Sequence, residues 1–151
     1  MATSRRTSIG YQSLLRATRA LTHIEREVEK AFECCVFNVV FNNRDDHAKN
    51  FSFRMDARFT WKLAPCYDLS YNEGPGGEHQ MDIEGEGRAP SRAGLLKLAA
   101  TNSLKPDWAA SVIARTTAAA GEFKTLAKNH PIRPATRQTI AGAVVMPHFG
   151  E

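Results

Sequence analysis

The feature that most constrains the fold is an apolar helix pattern that ends directly in a polar segment. Residues 23–41 repeat apolar side chains at helical spacing, and the apolar face widens toward the final stretch, CVFNVVF. The face is formed by Ile24, Val28, Phe32, Cys35, Val36, Val39 and Val40. A helix whose last turns are apolar nearly all round is buried there, so it delivers residues 42–45 to an interior or cleft-lining position. Thr22, with Glu25 three residues later, predicts a capping box at its start.

Two short segments rich in aromatic residues follow, FSFRM at 51–55 and FTWKLA at 59–64. Their alternating character, with a turn at 56–58, predicts a β-hairpin. Antiparallel pairing of these strands brings residues near 50 close to residues near 65. We therefore expect Asn50 and Asp68, which are distant in sequence, to become neighbours able to share one metal ion.

The rest of the chain predicts further helices and one long loop. Residues 72–90 are rich in glycine and predict the loop, and Ser91 is placed to cap the helix after it. The predicted helices span residues 10–21, 23–41, 92–102, 106–128 and 134–146. The sequence thus predicts a single, mostly α-helical domain over residues 1–151, with one small β-hairpin and a flexible segment at residues 1–9.

Composition excludes several classes of function. The net charge of the 151 residues is +4, with no basic stripe interleaved with aromatics, so direct nucleic-acid binding is not the expected main role. The odd set Cys34, Cys35 and Cys66 fits neither a disulfide framework nor a zinc site with CxxC spacing. We interpret these cysteines as reduced and mostly buried, which favours a cytoplasmic protein. No signal peptide is recognisable at the N-terminus, and no apolar run is long enough to cross a membrane.

An acid, an amide and a second acid follow one another in an order that suits phosphoryl transfer. Asp45 precedes Asn50 by five residues, and Asp68 follows across the predicted hairpin. In such chemistry one carboxylate orients the attacking hydroxyl, while an amide oxygen and a further carboxylate hold magnesium on the nucleotide phosphates. Protein kinases use an Asp and an Asn at this spacing, preceded by an Arg as here by Arg44. The charge of Lys49 suits neutralisation of the transferring phosphoryl group.

Other interpretations of this segment stay open at the level of the sequence. The polar residues after the helix suit a loop that only makes local hydrogen bonds. Asp45, Asp46 and His47 are also candidate ligands of a metal ion for hydrolysis, although consecutive residues rarely point at one ion. A nucleophilic pair of His47 with Cys35 or Cys66 would need an accessible thiol. His79, in the glycine-rich loop, is expected to make a loop hydrogen bond.

The residues resemble a known family at this point. DDHAKNFSF followed by WKLAPCYDLSY looks like the catalytic and metal-binding segments of HipA-like serine/threonine kinases, toxins of bacterial type II toxin–antitoxin systems. The resemblance extends over roughly residues 10–145 and implies the helical C-terminal lobe of a protein-kinase-like fold, with ATP and Mg²⁺ as cofactors. It implies that Asp45 is the catalytic base and that Asn50 and Asp68 bind the magnesium and nucleotide. His47 and Lys49 fall on further motif positions of the catalytic loop.

The resemblance also implies partners. The N-terminal part of family members supplies a phosphate-covering loop and a nucleotide-binding lysine, and no residue before Asp45 matches either. We therefore expect a C-terminal lobe that is inactive alone and needs an N-terminal lobe, separately encoded or lost from a truncated gene. A helix-turn-helix antitoxin and a protein substrate from the translation machinery, notably an aminoacyl-tRNA synthetase, are the implied partners. The alternatives are an inactive remnant acting as an interaction module in a toxin–antitoxin system and a basic nucleic-acid binder.

Overall fold

The computed structural model of the protein describes residues 9–144, which are mostly helical and contain one small two-stranded sheet. The elements in chain order are α1 Tyr11–Thr22, α2 Glu25–Val40, β1 Phe53–Met55, β2 Trp61–Leu63, α3 Arg92–Thr101, α4 Pro106–Gly121, α5 Phe123–Leu126 and α6 Pro134–Val144. The predicted hairpin is confirmed, with shorter strands than expected, and the predicted helices are confirmed except at the end of the helix predicted over residues 106–128. The flexible segment predicted at residues 1–9 lies, except for Ile9, outside the described residues, as does the predicted end of α6 at residue 146.

Helix α2 is the centre of the core. It packs against α1, α4 and β2. Its fully or almost fully buried apolar residues are Val28, Ala31, Phe32, Cys35, Val36, Val39 and Val40. Burial of each large aliphatic or aromatic side chain stabilises the fold by roughly 1.5–3 kcal/mol. The predicted apolar face of α2 is confirmed except at Ile24, which is the half-buried N-cap residue and not part of the helix.

The start of α2 differs from the prediction. Thr22 is the last residue of α1, and its hydroxyl donates to the carbonyl of Thr18 at 2.8 Å and accepts from the Ile24 amide at 3.2 Å. Ile24 is the N-cap of α2 and provides no side-chain cap, while Glu25 forms an ion pair with Arg19 at 2.7 Å. The predicted capping box is wrong because α1 extends to Thr22 and uses it as a helical residue.

The end of α2 turns the chain sharply toward the polar segment. Asn42 has φ +55°, and its amide donates to the Val39 carbonyl at 3.3 Å. The Asn43 amide donates to the Asn38 carbonyl at 2.8 Å. These two hydrogen bonds form a Schellman motif, in which Asn is one of the few residues besides Gly that tolerates the left-handed position. The asparagine doublet therefore fixes the direction in which the chain leaves the core.

The hairpin is attached to α2 by a buried carboxylate. β1 and β2 pair in antiparallel register with Phe53 opposite Leu63. Glu27, which is 3% exposed, accepts from the Leu63 amide at 2.9 Å and from the Lys30 ammonium at 2.7 Å. A buried acid is tolerated here because both of its oxygens have donors.

The cysteines differ from the prediction. Cys34 and Cys66 form a disulfide, and Cys66 is exposed, whereas Cys35 is free and buried. The prediction of three reduced, mostly buried cysteines failed because the hairpin returns Cys66 to the side of α2, a long-range contact that spacing does not reveal. The cytoplasmic location, which was predicted from reduced cysteines, is no longer supported by them and stays a prediction. No helix within residues 9–144 has the length and apolar character needed to span a membrane.

The C-terminal helices largely follow the predictions. Ser91 caps α3 by accepting from the Gly94 amide at 3.1 Å, as predicted. α4 begins at Pro106, the residue from which the prediction started it. The single helix predicted over residues 106–128 is wrong in its second half, because α4 ends at Gly121 and a separate short helix follows. Glycine is a poor helix former, which accounts for the break.

We predict that Glu27→Ala lowers the free energy of unfolding by about 1–3 kcal/mol, because the buried Leu63 amide loses its acceptor. Glu29→Ala is the matched control on the same helix. Glu29 is partly exposed and pairs with Arg26 at 3.0 Å, so its loss costs about 0–1 kcal/mol. Urea denaturation of both variants measures the difference, and equal midpoints would contradict the role given to Glu27.

Candidate active site

Two segments that are distant in sequence run side by side at the end of α2. We call them the Asp45 loop (residues 43–50) and the Asp68 segment (residues 64–72). The Arg44 amide donates to the Asn72 carbonyl, and the Asn72 amide donates to the Asn42 carbonyl, both at 3.1 Å. The Tyr67 hydroxyl also donates to the Lys49 carbonyl at 2.8 Å. The hairpin therefore brings residues near 50 beside residues near 67, as the sequence predicts.

The adjacent residues Asp45 and Asp46 have opposite environments. The side chain of Asp45 is 41% exposed, whereas that of Asp46 is fully buried. Neighbouring residues in extended backbone point their side chains to opposite sides, and this stretch of the loop is not helical. One carboxylate thus faces the surface and the other faces the core.

The buried Asp46 carboxylate has three hydrogen-bond partners. The Tyr11 hydroxyl donates to Oδ2 at 2.7 Å, His79 Nδ1 lies 2.8 Å from the same oxygen, and the Gln80 amide donates to Oδ1 at 2.9 Å. Because a carboxylate only accepts, the His79 ring is the donor. Burial, together with the neighbouring Asp46 carboxylate, raises the pKa of Tyr11 well above its ordinary value, so the hydroxyl keeps its proton.

This network connects three parts of the chain and was not found from the sequence. Tyr11 begins α1, and its hydroxyl accepts from the Asn38 side chain of α2 at 2.9 Å. His79 and Gln80 belong to the glycine-rich loop (residues 73–90). The predicted loop hydrogen bond of His79 is confirmed, but its partner is more than 30 residues away. No local pattern signals such a contact, and the sequence offered Asp46 only as a candidate metal ligand.

The exposed Asp45 carboxylate is held on one side only. Gln80 Nε2 donates to its Oδ1 at 2.9 Å, and His47 Nε2 lies 3.9 Å from that oxygen. The Asp45 carbonyl accepts from Asn50 Nδ2 at 2.8 Å. The backbone and one carboxylate oxygen of Asp45 are therefore fixed, while the side chain remains accessible to a reactant.

Asn50 and Asp68 present oxygen atoms of the kind that magnesium binds. Asn50 is half-buried and uses its amide nitrogen on the Asp45 carbonyl, so its Oδ1 atom is not occupied by that hydrogen bond. Asp68 is exposed at φ +55°, and its carbonyl accepts from Asn43 Nδ2 at 3.3 Å. The backbone of Asp68 is thereby held while its carboxylate faces outward. An amide and a carboxylate oxygen fit Mg²⁺, which commonly takes one or two protein ligands and completes its shell with water and phosphate.

The other predicted residues of the loop are more open. Lys49 is exposed, and its ammonium makes no ion pair within the described part of the chain. The side chain of His47 is 35% exposed, and its Nδ1 atom is buried without a hydrogen-bond partner among residues 9–144. Both residues lie on the same short loop as Asp45, and the structure places His47 Nε2 3.9 Å from the Asp45 carboxylate.

Two alternatives from the sequence fail against this geometry. Asp45, Asp46 and His47 do not form a metal cluster, because Asp46 points into the core, and residues 9–144 contain no group of three His, Cys, Asp or Glu side chains placed to hold an ion. A pair of His47 with a cysteine thiol is also wrong. Cys35 is fully buried, and Cys66 is in a disulfide.

Arg44 fixes the glycine-rich loop above the Asp45 loop. Its guanidinium donates to the carbonyls of Gly77 at 2.5 Å and Arg88 at 3.3 Å. Gly74 has φ +73°, and a Cβ there would lie 2.6 Å from the Arg44 Cβ. Only glycine allows this close approach, so Gly74 is required for the packing of the loop on Arg44.

Comparison with solved structures identifies the fold. The chain matches a chain of the HipA, HipB and operator DNA complex from the toxin–antitoxin system of Shewanella oneidensis MR-1, with a TM-score of 0.73 and 17% identity. The match covers 95% of this chain and 37% of the other, so this chain spans little more than a third of the length of that relative. No protein of curated function matches the sequence. The predicted helical, HipA-type fold with a small hairpin is therefore confirmed.

Comparison with protein families covers most of the sequence. Residues 2–123 match the family described as the HipA-like C-terminal domain. This match includes α1, α2, the hairpin, the Asp45 loop and the Asp68 segment. The chain therefore belongs to the family of HipA-like C-terminal domains.

Proposed function

We propose that this chain is the C-terminal catalytic lobe of a HipA-like serine/threonine kinase, which transfers a phosphoryl group from ATP to a protein hydroxyl. The observation that carries the proposal is the accessible Asp45 carboxylate, held by Gln80 beside an Asn50 amide whose nitrogen is already engaged. Exposed Asp68 lies on the neighbouring segment. This arrangement supplies a base and two oxygen ligands on fixed backbone.

Asp45 acts as the general base. Its Oδ1 atom is held by Gln80, which leaves Oδ2 to approach the substrate hydroxyl and take its proton. A positioned base of this kind contributes about 10²–10⁴-fold to a rate. The backbone of Asp45 is held by Asn50, so the Asp45 carboxylate approaches the substrate hydroxyl from a fixed direction.

Asn50 would hold Mg²⁺ through its Oδ1 atom, and Asp68 would hold it through its carboxylate. The bound ion neutralises and orients the phosphates, which is most of what a phosphoryl-transfer enzyme must do. Lys49, exposed on the same loop, adds a positive charge for the transferring group, and His47 Nε2 lies 3.9 Å from the Asp45 Oδ1 atom that Gln80 also contacts. The ATP phosphates would thus bind to the lobe through the magnesium that Asn50 and Asp68 hold and through the positive charge of Lys49.

The rest of the ATP site and the partners are also part of the proposal. By family resemblance, we assign the phosphate-covering loop and the nucleotide-binding lysine to an N-terminal lobe. The matched structure contains HipB and operator DNA, which supports a helix-turn-helix antitoxin as a partner. By family resemblance the substrate is a protein of the translation machinery in a bacterial cytoplasm. Binding of such an antitoxin without any phosphoryl transfer would favour the inactive interaction module instead.

We predict that Asp45→Asn lowers phosphoryl transfer by at least about 10²-fold in the kinase reconstituted with its N-terminal lobe, because the amide takes no proton. Asp107→Asn, at the exposed start of α4, is the matched control and should keep full activity. Transfer of radioactive phosphate from ATP to the protein substrate measures both. Full activity of Asp45→Asn would rule out the assigned role.

We predict that the chain by itself binds Mg²⁺–ATP weakly and that Asp68→Asn weakens this binding at least about tenfold, since it removes a charged ligand. Asparagine tolerates the positive φ of position 68, so the backbone is preserved. Isothermal titration calorimetry compares the wild type, Asp68→Asn and Asp107→Asn. Equal affinities of wild type and Asp68→Asn would exclude Asp68 as a metal ligand.

A further inference from the structure

Gln80 contacts both aspartates of the Asp45 loop by different groups. Its side-chain Nε2 donates to the Asp45 Oδ1 atom at 2.9 Å. Its backbone amide donates to the Asp46 Oδ1 atom, also at 2.9 Å. One residue of the glycine-rich loop therefore joins the exposed carboxylate to the buried one.

We propose that Gln80 is a positioning residue for Asp45, holding that carboxylate in the direction required to reach the substrate hydroxyl. This inference rests on the proposed kinase function. It adds a residue outside the Asp45 loop to the catalytic geometry and gives the glycine-rich loop a part in the reaction.

The backbone of Gln80 is fixed by the core. The Asp46 carboxylate that accepts from its amide is fully buried and is also bound by Tyr11 at 2.7 Å and by His79 at 2.8 Å. The preceding residue, His79, is only 7% exposed, so the backbone on the N-terminal side of Gln80 is also held by packing. The half-buried side chain of Gln80 then extends from this anchor to Asp45.

Asp45 needs such a contact because its own loop restrains it only in part. Rotation of a carboxylate about its last torsion is broad, and the side chain of Asp45 is 41% exposed. The Asn50 hydrogen bond fixes the Asp45 carbonyl and does not reach the carboxylate. A misplacement of about 1 Å in a reacting group costs roughly 10²-fold in rate, so one well-anchored donor has a large effect.

The chemistry of glutamine suits this task. The amide is a neutral donor, so it orients the carboxylate by a hydrogen bond without placing a positive charge against it. A lysine or arginine at this position would form an ion pair with Asp45 and weaken it as a base. The His47 ring on the Asp45 loop leaves the Asp45 Oδ1 atom to Gln80, since His47 Nε2 is 3.9 Å away from it.

Gln80→Met tests the kinetic consequence. Methionine has a similar length and no donor, and the backbone amide that binds Asp46 is retained. We expect kcat of the reconstituted kinase to fall about 10–100-fold, with KM for ATP changed less than about twofold. Gln12→Met, at another half-buried glutamine, should leave both constants unchanged. An unchanged kcat for Gln80→Met, or a change confined to KM, would overturn the proposal.

Nuclear magnetic resonance of the 151-residue chain tests the contact without any activity. We expect the side-chain amide resonances of Gln80 to shift in Asp45→Asn and to stay in place in Asp107→Asn. If the Gln80 resonances did not shift in Asp45→Asn, the contact would be refuted, and the proposal with it. Absence of phosphoryl transfer by the wild-type kinase would instead refute the proposed function, and the resonance comparison would still decide whether Gln80 holds Asp45.

Discussion

The buried carboxylate of Asp46 is the interaction on which the arrangement of the site depends. A carboxylate without partners in a protein interior costs several kcal/mol, so the chain must supply donors from whichever segments can reach it. Tyr11 comes from α1, and His79 and Gln80 come from the glycine-rich loop. Satisfying one acid therefore fixes the Asp45 loop between the first helix and the loop after the hairpin.

Two neighbouring aspartates divide structural and chemical roles. The side chain turned inward anchors the loop, and the side chain turned outward is left accessible at 41% exposure. Because the two residues are adjacent in non-helical backbone, fixing Asp46 also fixes the side of the backbone from which Asp45 projects, and Gln80 holds the Asp45 carboxylate. The Schellman motif at Asn42 and Asn43 adds a second restraint, since it sets where the loop leaves α2. In the proposed kinase, the contacts that bury Asp46 in the core therefore also hold the backbone of the catalytic base, Asp45.

Local patterns in the sequence predicted the helices, the hairpin and the Ser91 cap because each depends on residues a few positions apart. The grouping of Asp45, His47, Lys49 and Asn50 followed from their place on one loop, and the approach of the Asp68 segment followed from hairpin geometry. The Asp46 network and the Cys34–Cys66 disulfide could not be predicted, since both join residues at least 32 positions apart. The predicted capping box at Thr22 was wrong for a different reason, because Thr22 is the last residue of α1 and Ile24 is the N-cap of α2.

A crystal structure of the protein with Mg²⁺ and a non-hydrolysable ATP analogue tests the roles of the two aspartates most directly. We predict one magnesium ion bound by Asn50 Oδ1 and the Asp68 carboxylate, with Asp45 facing the γ-phosphate. Asp46 should remain buried on Tyr11, His79 and Gln80 in the same crystal. An Asp46 side chain turned toward the metal, or an ion that contacts neither Asn50 nor Asp68, would contradict the division of roles between the two aspartates.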